Sequence, residues 1–225
     1  MIKANFSNLS LFELNLIVSC QAPIGSHMKN DEVLISVAKE VIEASAPALR
    51  VAGANCISEI RNVTKIPIIG LIKTVRKEFE PKITCTLKEV EDVYLSGAGI
   101  VAIDSTLRER PEPLKNLFTR AKSLNLEIFA DIATEAEAYN AIDLGSDYIG
   151  TTLSGYTSQS STTIGPDFDL LVKLIENTSS PIILEGRVSN PDQLRRGLGL
   201  GAFAVVVGRF ITSPRDITQA YLSVL

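Results

Sequence analysis

Residues 181–209 read PIILEGRVSNPDQLRRGLGLGAFAVVVGR. The apolar run 181–184 ends on Glu185-Gly186-Arg187, and after a helical stretch Gly201 precedes a second aliphatic run that ends on Gly208-Arg209. Both runs are nearly continuous rather than alternating, which marks strands buried on both faces of a parallel sheet. A glycine between helix and strand is the expected C-terminal stop. The stretch is therefore one strand–helix–strand unit with its charged residues gathered where the strands end.

Working outward, the same unit recurs. Further strand candidates lie at 14–19, 48–52, 67–73, 99–104, 127–132 and 147–152. With 181–185 and 204–208 they make eight. A minor run, 82–86, reads as a short extra strand or as the lead into a helix. Segments 29–44 and 114–124 carry apolar residues at helical spacing. Asn55, Thr134 and Ser213-Pro214 supply helix-start signals, and Gly97 and Gly145 join Gly201 as stops. Eight units in 225 residues leave roughly 28 residues each, close to the minimum for a (β/α)8 barrel. An open doubly wound sheet shares the alternation. However, no Gly-x-Gly-x-x-Gly opens the helix after the first strand, and Gly197-x-Gly199-x-Gly201 ends a helix instead. The expectation is an α/β protein with a single (β/α)8 TIM barrel domain spanning residues 1–225.

Composition narrows the function. At 45% hydrophobic and 21% charged residues the chain has the balance of a soluble globular protein. A net charge of −4 argues against a nucleic-acid partner and against a polybasic membrane anchor. Residues 1–10 lack a signal-peptide pattern, and the apolar stretch 66–72 is broken by Pro67 and Gly70 and too short to span a bilayer. Cys20, Cys56 and Cys85 show no Cys-x-x-Cys spacing, and His27 is the only histidine. A disulfide scaffold and a zinc or histidine metal site are not expected, and a reducing cytoplasm is the simplest home.

In such a barrel, chemistry belongs at the C-terminal strand ends, and there the polar residues gather. Gln21 follows the first run, Arg50 lies near the end of the second and Lys73 closes the third. Asp104 and Asp131 end the fourth and fifth, Thr151-Thr152 the sixth, Glu185 the seventh, and Gly208-Arg209 follow the eighth. Any one charged strand end can be a solvated cap; six or more on one face favour a small anionic substrate. Lys73 can be a snorkelling side chain, or a base or Schiff-base nucleophile made less basic by burial and Arg50. Glu185 is either paired with a cation or an acid/base. Gly186-Arg187 and Gly208-Arg209 match the phosphate site many barrels build after strands seven and eight. The uncharged stretch from Gly150 through Tyr156 to Thr163 reads as a surface loop or as one covering a sugar.

Several motifs together resemble one family. Ile17-Val18-Ser19-Cys20-Gln21, Gly70-Leu71-Ile72-Lys73, Ala102-Ile103-Asp104-Ser105-Thr106, Arg110-Pro111, Ala130-Asp131-Ile132, Gly150-Thr151-Thr152-Leu153-Ser154-Gly155-Tyr156-Thr157 and Glu185-Gly186-Arg187 are similar, in order, to the N-acetylmannosamine-6-phosphate 2-epimerases. The resemblance covers residues 14–218. It implies a phosphate-binding barrel of the ribulose-phosphate-binding type and a cofactor-independent isomerase of amino-sugar phosphates in sialic acid catabolism. It also implies Lys73 as the base at C2 and Glu185 as the acid on the opposite side. Gln21, Arg50 and Asp131, with Thr152 and Tyr156, would position the sugar, and Gly186, Arg187, Gly208 and Arg209 would hold the phosphate.

The chain departs from the family at Ala52, where many relatives carry Glu, and at Thr74-Val75 in place of Arg-Asp. Arg209 replaces a small residue and Ser213 the usual Arg. Two other readings stay open on the residues alone: a Schiff-base lyase using Lys73, and a non-catalytic sugar-phosphate binder. A homodimer through segment 214–225 is expected, with no metal and no partner beyond the small-molecule substrate.

Overall fold

The computed structural model describes residues 15–22, 25–160 and 164–225. Eight strands, β1 (Leu16–Cys20), β2 (Ala48–Ala52), β3 (Ile68–Leu71), β4 (Ile100–Asp104), β5 (Glu127–Asp131), β6 (Tyr148–Gly150), β7 (Ile182–Glu185) and β8 (Ala204–Val207), pair in parallel in chain order. β8 pairs back onto β1 and closes the ring. The barrel is thus closed, and the open-sheet alternative is excluded. Around it run α1 (Asp31–Glu43), α2 (Ala54–Val63), α3 (Leu87–Leu95), α4 (Leu114–Ser123), α5 (Glu135–Asp143), α6 (Phe168–Asn177) and α7 (Pro191–Gly199), followed by the short α8 (Arg209–Thr212) and by α9 (Pro214–Leu222). Among the described residues, no helix is long and apolar enough to cross a membrane.

The continuous apolar runs are explained by burial on two faces. Ile17, Ala48, Ile69, Phe129, Ile183 and Val206 pack inside the barrel. Their chain neighbours Val18, Leu49, Ile68, Ile128, Leu184 and Val205 pack outward with the helices. Following the inward alternation to the strand ends brings Gln21, Arg50, Lys73, Asp131, Thr152, Glu185 and Gly208 toward one mouth.

The helix signals hold with one correction. Thr134 caps α5 and Ser213 caps α9 with Pro214 as its first residue. Gly97, Gly145 and Gly201 follow their helices at φ 87°, 86° and 101°, a conformation that costs glycine little. Asn55, however, is not a cap. Gly53 begins α2 with no side-chain bond, and Asn55 lies within the first turn and donates to Asp31 Oδ2 at 2.8 Å, tying α2 to α1.

Strand ends shift by a residue or two, and Leu14, at the predicted start of the first strand, lies outside the described residues, as do residues 1–10 and Ser161-Thr162-Thr163. The largest difference concerns the third run. β3 stops at Leu71, and Lys73 forms an isolated antiparallel bridge with Ile83. The run 82–86 is therefore the returning arm of a hairpin, and its Thr86 then caps α3.

Candidate active site

Beneath the mouth, Arg50 organises the charges. β2 holds it inside the barrel, 1% exposed, with its Cζ 4.9 Å from the centre of the Phe129 ring. Phe129 occupies this place because Gly150 faces it: a Cβ at position 150 would stand 2.2 Å from the ring. Arg50 Nη2 donates to Asp131 Oδ2 at 2.8 Å, and its Nε lies 3.3 Å from Glu185 Oε1. Thr152 Oγ1 donates to the other oxygen of Asp131. Burial works against the charge on Arg50, but Asp131 and then Glu185 outweigh it, so the guanidinium stays protonated.

Glu185 ends β7, and its backbone is fixed by Thr151, whose hydroxyl donates to Glu185 O (2.9 Å) and accepts from Glu185 N (3.0 Å). Its carboxyl is pushed up to about 7, first by burial and further by Asp131; Arg50, Thr152 and Lys73 pull the other way. Lys73 stands across the barrel on the extension of β3. Water reaches it through the mouth, yet barrel atoms crowd its amine closely enough to lower its pKa. Desolvation is the main cause, followed by Arg50, and Lys82 adds to it; Glu185 and Asp131 oppose. In a ring of eight strands, β3 and β7 are four apart in either direction. The lysine and the carboxyl therefore occupy opposite walls.

Lys73 and Glu185 both line an open cavity of ≈ 410 Å³ at the mouth, together with Gln21, Thr152, Tyr156, Gly186, Arg187, Gly208 and Arg209. That is within the roughly 300–1,000 Å³ of small-molecule sites. Arg50 and Asp131 are not in its lining. They lie below it, fully buried, and reach Glu185 and Thr152. Gln21 Nε2 donates to Ser19 Oγ at 2.9 Å. Arg187 spans to the loop after β6, donating to Gly165 O and Ser154 O, both at 2.7 Å, and stacks 5.0 Å from the Tyr156 ring. Arg209 is half exposed and pairs with Asp216 at 3.2 Å.

The sequence reading missed Ser19, Phe129 and Ile83. Ser19 and Phe129 share the inward alternation of Gln21 and Asp131, which is the signal that finds them. Ile83 enters the inner cluster from a hairpin arm, and no strand periodicity announces it. The three cysteines are buried, free thiols. Burial pushes each up to about 12, as expected of apolar fillers.

A family model described as "Putative N-acetylmannosamine-6-phosphate epimerase" matches residues 34–225. Relatives named "Putative N-acetylmannosamine-6-phosphate 2-epimerase" include one from Clostridium perfringens, 39% identical over 96% of this chain and 99% of its own. Another, from Staphylococcus aureus, is 38% identical over 93% of this chain and 97% of its own. A solved N-acetylmannosamine-6-phosphate 2-epimerase from Clostridium perfringens superposes with a TM-score of 0.92 at 38% identity, covering 96% of each chain. A thiamine phosphate pyrophosphorylase from Pyrococcus furiosus, at TM-score 0.64 and 18% identity, shares the fold alone. With a family model spanning most of the barrel and relatives aligned almost end to end, the chain belongs to the N-acetylmannosamine-6-phosphate epimerase family.

Proposed function

We propose that this barrel interconverts N-acetylmannosamine 6-phosphate and N-acetylglucosamine 6-phosphate by moving protons at C2. The observation that carries the reading is the placement of Lys73 and Glu185 on opposite walls of one cavity. Inverting a carbon without redox chemistry requires removing a proton from one face and delivering another to the opposite face. Lys73, whose pKa is lowered by desolvation and then by Arg50, is the group that takes the C2 proton. With the sugar in its open-chain form, the bonding electrons pass to the C1 aldehyde oxygen, giving an enolate. Glu185, protonated below about pH 7, returns a proton to C2 on the other face. The two groups exchange protonation states in the forward reaction and recover them in the reverse reaction or through solvent.

Arg50 acts from below, through Glu185. It fixes that carboxyl and sets a positive charge near the developing enolate. Asp131 holds Arg50, and Thr152 holds Asp131. Gln21, Thr152 and Tyr156 orient the sugar. Gly186 and Arg187 after β7, with Gly208 and Arg209 after β8, receive the phosphate. Binding so far from C2 supplies positioning rather than chemistry.

One barrel domain carries the activity. Free buried thiols suit a reducing cytoplasm, and amino-sugar catabolism from sialic acid is the setting the reaction fits. Tyr221 and Leu222, exposed on α9, support a homodimer, which sedimentation of a monomer at micromolar concentration would refute. The direct test of function is NMR observation of purified protein with N-acetylmannosamine 6-phosphate. Appearance of the C2 epimer without added cofactor is expected, and a substrate that stays unchanged while raising thermal stability would indicate a binder instead.

A further inference from the structure

The segment after β3 leaves the barrel at Lys73 and returns at Ile83, and a single carboxylate clamps both arms. Glu89, 6% exposed in the first turn of α3, accepts from Thr74 Oγ1 and from Arg76 Nη2 on one oxygen, both at 2.6 Å. Its other oxygen accepts from the N–H groups of Cys85 (2.6 Å) and Thr86 (3.1 Å). The outgoing arm is thus gripped one residue beyond Lys73 and the returning arm two residues beyond Ile83. Between the arms run Thr74 N to Lys82 O (3.0 Å) and Thr84 N to Ile72 O (2.9 Å), and Asp104 N donates to Ile83 O (2.9 Å).

We infer that Glu89 is a positioning residue for the epimerisation, holding the hairpin so that the Lys73 amine keeps its place across the cavity from Glu185. The inference rests on the reading of Lys73 as the base. A helix cap alone needs only the Thr86 side of the carboxylate; the bonds to Thr74 and Arg76 reach beyond the cap into the segment that carries Lys73. The chain contains its own comparison. Glu137 forms the same capping box with Thr134 in α5 and also accepts from Ala133 N, but its remaining bond goes to Leu107 N, away from Lys73. Loss of Glu89 and loss of Glu137 therefore remove equivalent caps, and only the first frees the lysine's support.

The charges that act on the Lys73 amine are Arg50 from β2, Glu185 from β7, Asp131 from β5 and Lys82 on the returning arm. A loosened hairpin lets the amine drift from Arg50 and Lys82 into water, so its affinity for protons rises toward that of an ordinary lysine.

The test compares Glu89→Gln, Thr74→Val, Glu137→Gln and Lys73→Ala in the full-length protein. It reads kcat, KM and the pKa of Lys73 from the pH dependence of its acylation by an amine reagent, followed by mass spectrometry. Glu89→Gln is expected to lower kcat by about 10- to 100-fold with little change in KM, as for a displaced reacting group. It should also raise the Lys73 pKa by about half a pH unit or more. Thr74→Val, which leaves the capping box whole, should shift both in the same direction by less, and it decides the matter if Glu89→Gln does not fold. Glu137→Gln should move neither. If Glu89→Gln and Thr74→Val leave the Lys73 pKa and kcat where Glu137→Gln leaves them, Glu89 is only a helix cap and the inference is overturned. If Lys73→Ala still epimerises, the reading of Lys73 as base falls, and the positioning role falls with it.

Discussion

The Nε of Arg50 lies 3.3 Å from Oε1 of Glu185, with the arginine side chain 1% and the carboxylate 12% exposed. At that burial the pair is screened weakly by water, and the contact lies outside hydrogen-bond geometry: Arg50 Nε and Nη1 and Glu185 Oε2 make no hydrogen bond among the described residues. The cation is shared with Asp131, so two carboxylates depend on one guanidinium. Burial pushes the Glu185 carboxyl up to about 7, and a guanidinium divided between two carboxylates offsets that only in part.

A carboxyl whose pKa is raised on folding binds more protons in the folded than in the unfolded chain. Stability from this group is therefore full at low pH and falls as pH rises from the ordinary carboxylate range through about 7. Glu185→Gln should raise stability at pH 8 relative to the parent by about 1–3 kcal/mol and by much less at pH 5. Thermal melts at the two pH values check this; an equal effect at both would place the Glu185 pKa in the ordinary range. The parent's activity profile should show a limb near pH 7 from this carboxyl, and Glu185→Gln should abolish epimerisation.

The proton path is tested in D₂O. Product formed there should carry deuterium at C2, and Lys73→Ala and Glu185→Ala should each abolish epimerisation. A variant that keeps one competent group can still exchange the substrate's C2 proton from its own side, and the epimer that exchanges then assigns a face to the surviving residue. Full retention of the original proton over many turnovers would instead require a single shielded carrier.

Arg209 is expected to take the phosphate role of the arginine that Ser213 replaces. It is half exposed and paired with Asp216, so the 2–5 kcal/mol of a buried charge pair does not apply, and about 1 kcal/mol is the scale. Arg209→Ala should raise KM for the phosphorylated sugar by about fivefold and leave weak turnover of the unphosphorylated sugar unchanged. Equal losses on both substrates would remove Arg209 from the phosphate.

Gly150→Ala should be felt at the site without touching it. The added Cβ would meet the Phe129 ring at 2.2 Å, and forcing that ring aside costs about 1–3 kcal/mol. Because the ring supports Arg50, activity should fall beyond the loss of folded protein. Urea denaturation with kinetics on the folded fraction separates the two, and unchanged kcat in folded protein would show that Phe129 does not set Arg50.

The sequence by itself determined the architecture. Strands buried on both faces must be written as unbroken apolar runs, and helices that turn back into such strands need a residue tolerant of positive φ, which is why the runs and Gly97, Gly145 and Gly201 were legible. It also placed Lys73, Glu185 and Gly208 at one mouth, since parallel strands all end on the same side. Tertiary structure alone decided which of those residues touch. Nothing local shows that Arg50 would be shared between Asp131 and Glu185, 81 and 135 residues away in the chain, because ion pairing across a barrel depends on ring closure and register. Nor could 82–86 be read as the partner of Lys73, since one antiparallel bridge leaves no period. Asn55 looked like a cap because its residue type favours one, but the backbone turned at Gly53, and the amide found Asp31 on the neighbouring helix instead.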